Sequence, residues 1–225
     1  MELVKSLLNT IVSPSQAFAW VAEHPLWLIP VVLLLLTSVI ATFVSAPFIA
    51  DLSMQRLEEQ SSNMSPEQIK QSKDMINSPL MGTITVVFAV IGMIIALLIQ
   101  TVVFHFSALT IGGNARFGLG FAMVAYAQVP IMLQQIIQSV YSKMTDTMIQ
   151  SGFSAMLPAD QATKPMGIFL THVDVFTVWS LILIAIGLPI IYKISKAQAA
   201  VLSAGYWVLS TTIAVIIGAI GGAFA

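Results

Sequence analysis

Long stretches without a formal charge dominate the hydrophobic pattern of this chain. They are Pro25–Ala50, the segment between Asp74 and Arg116 (which holds only His105), Phe117–Ser142, Val175–Tyr192 and Ala197–Ala225. A bilayer core about 30 Å thick needs roughly 20 apolar residues as a helix. Each run supplies that length, so the pattern predicts an all-α polytopic membrane protein. Its five transmembrane helices fall at about 27–48, 79–111, 117–141, 166–192 and 199–224, in a single membrane domain over 1–225.

The segments between the runs are also patterned. Leu3, Val4, Leu7, Leu8, Ile11 and Val12 recur at helical spacing, with Glu2, Lys5, Ser6 and Asn9 elsewhere on the wheel. That predicts a short amphipathic N-terminal helix, lying in the membrane interface or packed against the bundle. Ser13-Pro14 starts a second short helix, which holds Phe18 and Trp20 and stops before Pro25. The longest polar stretch runs from Asp51 to Asn77. Within it Ser65-Pro66-Glu67-Gln68 has the form of a capping box, which predicts a solvent-facing helix from Pro66 to about Asn77. Gly112-Gly113-Asn114 is a tight turn, Ser142–Pro165 is a second polar loop, and Lys193 and Lys196 lie in a short basic turn. Pro130 in the third span and Pro189 in the fourth should kink their helices.

Composition agrees with this layout. Hydrophobic residues make up 57% of the chain and charged residues 8%, against about 25% charged in soluble domains. A net charge of −1 without a basic tail or Arg cluster argues against nucleic acid as a partner. The absence of cysteine excludes disulfides, Cys-ligated zinc and thiol catalysis. The polar segment after Lys5 and the length of the first run read as a retained span rather than a removable signal peptide. With five spans, the N-terminal segment and the Gly112–Arg116 and Lys193–Lys196 turns share one side, carrying Lys5, Arg116, Lys193 and Lys196 against Glu2 and Glu23. The positive-inside bias makes that side cytoplasmic and puts the C-terminus outside.

The third span carries a polar stripe. Gln128, Gln135 and Gln138 fall at i, i+7 and i+10, with Ser142 four residues on and Gln134 beside them. An amide without a partner in hydrocarbon costs several kcal/mol. The stripe therefore either hydrogen-bonds neighbouring helices or lines a polar cavity. Gln100 on the second span lies at a depth matching Gln128. Asp174 is the only carboxylate inside a predicted span, and intramembrane carboxylates are functional candidates. It is either a helix cap near a positive dipole end or a functional site facing Gln135 and Gln138. His172 and Asp174 form an H-x-D pair, but no motif offers a third ligand, so no metal and no cofactor is expected. No H-E-x-x-H, G-x-S-x-G or phosphate-binding Gly loop occurs, so the chain reads as a non-enzyme. In the fifth span Ala214, Gly218 and Gly222 follow the small-xxx-small pattern of close helix approach. The 12 methionines read as adaptable packing.

Three segments carry a family resemblance. Asp174-Val175-Phe176-Thr177-Val178-Trp179 opens the fourth span and leads to Gly187 and the Ser195-Lys196-Ala197 turn. Tyr126-Ala127-Gln128-Val129-Pro130 lies in the third span. Pro14, Phe18, Pro25 and Pro30 mark the approach to the first. In their order and spacing these segments resemble the Yip domain family, multi-pass membrane proteins whose eukaryotic members interact with Ypt/Rab GTPases. Ser65-Pro66-Glu67-Gln68 resembles a loop common in bacterial members. The resemblance implies five spans, a cytoplasmic N-terminus and, for the bacterial branch, the inner membrane. The long cytoplasmic N-terminal region of the eukaryotic branch has no counterpart in the sequence, so a Rab-binding role is not expected. Tyr126, Pro130, Asp174, Phe176, Trp179 and Gly187 carry the family pattern.

Two functions are compatible with these features. One is a non-enzymatic scaffold or membrane-organising factor whose partners are the lipid bilayer, further copies of itself or other membrane proteins. The other is a small transporter or channel with a polar cavity lined by the third and fourth spans.

Overall fold

The computed structural model of the protein describes residues 2–61, 64–147, 151–157, 161 and 164–223; for 2–4, 60, 79 and 221–223 only the backbone is described. Among the described residues the regular structure is entirely helical. The helices are α1 (Glu2–Val12), α2 (Pro14–Glu23), α3 (Leu28–Gln60), α4 (Pro66–Ile76), α5 (Pro79–Thr110), α6 (Phe117–Ala127), α7 (Val129–Thr145), α8 (Pro165–His172), α9 (Val175–Tyr192) and α10 (Lys196–Ala223), with a 3-10 turn at Gly152–Met156. Among the described residues five stretches are long and apolar enough to cross a membrane: Leu28–Glu59, Leu80–Thr110, Phe117–Thr145, Val175–Tyr192 and Lys196–Ile220.

Several boundaries differ from those expected. The helix of the first span does not stop near Phe48: α3 runs on to Gln60 through the start of the predicted polar loop. Residues 51–60 are rich in Leu, Met, Gln, Arg and Glu, good helix formers, and extending a helix is cheaper than nucleating one. The fourth predicted span is divided. α8 ends at His172, and α9 begins only at Val175. The third span breaks at Gln128, between α6 and α7. Pro130 accounts for that break: it has no N–H for the carbonyl of Tyr126, and its ring crowds that carbonyl. α4 has the predicted cap, with Ser65 Oγ accepting from Gln68 N–H at 3.2 Å and Gln68 Oε1 accepting from Ser65 N–H at 2.8 Å.

The chain groups into two compact units. The first comprises Met1–Leu34, Ile95–Gln134 and Gln150–Ala225; the second comprises Leu35–Ile94 and Gln135–Ile149. In the first unit α6 is the central element, and every residue from Ala122 to Ala127 is buried. Ala17, Phe18 and Val21 of α2 and Leu183, Ile184, Leu188 and Ile191 of α9 complete this core. Gly187 permits the close approach. A Cβ there would sit 2.7 Å from Met123 Cγ and 3.3 Å from Phe18 Cδ1. In the second unit Phe43 and Phe88 point outward, as suits helices bathed in lipid.

α1 packs on α2 and α6. Its buried residues are Ser6 and Thr10, while Leu8 is 59% and Val12 79% exposed. The Ser6 hydroxyl lies 3.3 Å from the Tyr126 hydroxyl, and Thr10 donates to the Ser6 carbonyl at 3.0 Å. The small hydroxyl face is thus held by the bundle, while Lys5, Leu8 and Val12 lie on an exposed face.

Candidate functional site

The glutamines and the carboxylate of the spans are fastened by hydrogen bonds within each unit, whereas the buried Ser203 and Thr211 hydroxyls of α10 have no partner among the described residues. In the first unit Gln128 occupies the break between α6 and α7. Its side-chain amide donates to Gln100 Oε1 of α5 at 2.8 Å, the pairing expected from their matched depths, and reaches the Val124 carbonyl at 3.4 Å. In the second unit Gln135 Oε1 accepts from the Thr37 hydroxyl of α3 at 2.7 Å, and its side-chain amide donates to Ser38 Oγ at 3.0 Å. Gln138, farther along α7, is half-buried. Each such bond ties two helices through groups that hydrocarbon leaves unsolvated.

Asp174 is buried and caps α9. Its Oδ2 accepts from the N–H groups of Phe176 at 3.1 Å and Thr177 at 3.0 Å, and from the Thr177 hydroxyl at 3.3 Å. The carboxylate therefore meets both the orphan donors and the positive dipole end of α9. His172, the other half of the H-x-D pair, turns its ring to the Ile168 carbonyl, with Nδ1 at 2.9 Å.

The gap between α8 and α9 is closed from three directions. The Trp207 indole N–H of α10 donates to the His172 carbonyl at 3.0 Å, and the Phe153 N–H of the 3-10 turn donates to the Val173 carbonyl at 3.3 Å. Asp174 supplies the third fastening. Gly152, at φ +64°, makes the second possible, because a Cβ there would lie 2.6 Å from the Leu170 carbonyl and 2.8 Å from that of Thr171.

A second cluster ties the ends of α5, α6 and α9. Tyr192 is fully buried, and its hydroxyl lies 2.9 Å from His105 Nδ1. The His105 ring meets Phe117 edge-on at 5.3 Å. Gly120 makes room for the Tyr192 hydroxyl, which a Cβ at that position would strike. The Tyr192 carbonyl in turn accepts from the Asn114 N–H at 2.9 Å and anchors the glycine turn. Sequence reasoning noticed His105 but not its partner. The usable signal was a lone tyrosine at a span end opposite a glycine on a neighbouring span.

The Yip1 domain family model matches residues 8–218, nearly the whole chain. The chain belongs to the Yip1 domain family. No curated protein and no solved structure matches it. Within this Yip1 domain the residues of the family pattern sit at junctions. Tyr126 is fully buried beside Ser6, Pro130 follows the α6–α7 break, and Asp174 caps α9. Phe176 and Trp179 are half-buried on α9, and Gly187 makes the crossing with Met123 and Phe18. Of the small-residue stripe, Gly218 approaches Ile168 of α8 so closely that a Cβ would overlap Ile168 Cδ1. Ala214 is half-buried, and Gly222 lies outside the residues whose surroundings are described.

Proposed function

We propose that this Yip1-family membrane protein is a non-enzymatic scaffold or membrane-organising factor. In this reading it acts in a bacterial inner membrane, with its N-terminus cytoplasmic and its C-terminus outside. Its partners are the lipid bilayer and, within it, further copies of the chain or other membrane proteins. The observation that carries the reading is the use made of the amides and the carboxylate inside the spans. Gln100 and Gln128 bond to each other, Gln135 bonds to Thr37 and Ser38, and Asp174 bonds to the start of its own helix. Groups spent on fastening helices are groups not offered to a passing solute. Gln100, Gln128, Gln135, Gln138 and Asp174 are then structural fasteners.

Purified protein in sealed vesicles tests this reading. The scaffold role expects solute and proton leakage equal to that of empty vesicles. A flux that appears with the protein and disappears in Gln128→Leu or Asp174→Asn would replace it with the transporter reading.

A further inference from the structure

One pocket in the first unit is unlike the apolar hollows elsewhere on its surface. It has a volume of about 590 Å³ and is lined by Glu23, Pro25, Trp27, Asn114, Arg116 and Gly118 among others. Its walls come from the end of α2, the approach to α3 and the first turn of α6. Trp27 immediately precedes the candidate span Leu28–Glu59, and Arg116 immediately precedes Phe117–Thr145. First and third spans begin on the same face of a membrane, so the pocket lies at the level of the lipid headgroups whichever way the protein is inserted. Trp27 suits that level, being 42% exposed and in edge contact with Phe121 at 5.4 Å.

The charges are the second observation. Glu23 and Arg116 line the same pocket, and among the described residues neither forms an ion pair. The site thus offers one anion and one cation, unmatched, across a cavity of small-molecule size. α6 also starts here without a side-chain cap, so the N–H groups of Phe117 and Gly118 add to the donors beside Arg116.

We propose that this pocket binds the headgroup of a membrane phospholipid that carries a primary ammonium. The phosphate pairs with the Arg116 guanidinium, the ammonium donates to the Glu23 carboxylate, and Trp27 covers the glycerol and upper acyl region. Phosphate alone would explain Arg116 but leave Glu23 repulsive. A quaternary ammonium could not donate to Glu23. The primary-amine zwitterion satisfies both charges.

The test is lipid binding to the full chain in detergent, read by native mass spectrometry with phosphatidylethanolamine, phosphatidylglycerol and phosphatidylcholine. Wild type should bind phosphatidylethanolamine about tenfold more tightly than the other two, the scale of one charge-assisted contact. Arg116→Gln should weaken all three lipids, and Glu23→Gln should remove the preference while leaving phosphatidylglycerol binding unchanged or improved. Gly118→Leu separates pocket from fold. A Cβ at Gly118 meets nothing within 4 Å, so lipid-free melting should stay at the wild-type value while phosphatidylethanolamine binding falls. Equal affinity for the three lipids in wild type, a preference that survives Glu23→Gln, or wild-type binding by Gly118→Leu would each overturn the proposal. So would displacement by soluble glycerophosphoethanolamine at the same concentration, which would make the ligand a free solute rather than a lipid. None of these outcomes depends on whether the protein is a scaffold or a transporter.

Discussion

Gly152 is required for two reasons: its φ of +64° is one that L side chains rarely adopt, and three carbonyls surround the place where a Cβ would go. Gly152→Ala should lower stability in detergent by about 1–3 kcal/mol, measured by thermal melting; wild-type melting would mean that the 3-10 turn does not brace the α8–α9 gap. At Asp174 the prediction separates shape from charge. Asp174→Asn keeps an acceptor for the Phe176 and Thr177 N–H groups and should be tolerated, whereas Asp174→Ala should cost about 0.5–2 kcal/mol as a lost cap. Equal losses in the two variants would mean that charge, not capping, is what the site needs. Only part of this was legible in the sequence. Asp174 and the Gln100–Gln128 pair could be found because depth along a helix can be counted. Gly152 and Trp207 could not, because their partners are backbone carbonyls, which every residue has and no residue type advertises.

Between elements, the third and fourth spans show what periodicity can and cannot resolve. Pro130 announces a break in the third span by its chemistry. The break at Val173–Asp174 carries no proline or glycine, and the apolar run Met166–Val173 reads as continuous with α9. What ends α8 is tertiary: Trp207 takes the His172 carbonyl and Phe153 takes that of Val173. α8 also explains the small residue at 218, which faces a side chain and not a neighbouring backbone. Since the atom in the way is the mobile end of Ile168, Gly218→Ala should be absorbed by a rotamer change, while Gly218→Leu should cost about 1–3 kcal/mol by overpacking. A double variant with Ile168→Ala should recover most of that loss in a melting experiment. Additive losses would show that Gly218 and Ile168 are not coupled.

For the molecule as a whole, the proposed topology rests on the five candidate spans found among the described residues. Reporter fusions after Leu8 and after Lys196 should report cytoplasm, and a fusion at Ser61 should report the outside. A cytoplasmic signal at Ser61 would invert the charge argument. It would move the lipid pocket to the other leaflet without altering its chemistry. The spans were legible because hydrocarbon imposes a length that composition reveals. The grouping of the chain into two units was not, since α3, α5 and α7 are each divided between them and uninterrupted in sequence where they divide.

The open junction before α9 also sets an order of events in biosynthesis. α9 has 18 residues, about 27 Å at 1.5 Å per residue, barely enough for the bilayer alone. The partner that finally holds the His172 carbonyl is Trp207, 35 residues downstream. The Phe153 and Asp174 fastenings are thus available as the fourth segment emerges, and the third is added only when the last helix arrives. A ribosome stalled short of Trp207 would hold a chain with four of its five candidate spans made and one fastening of that joint still missing.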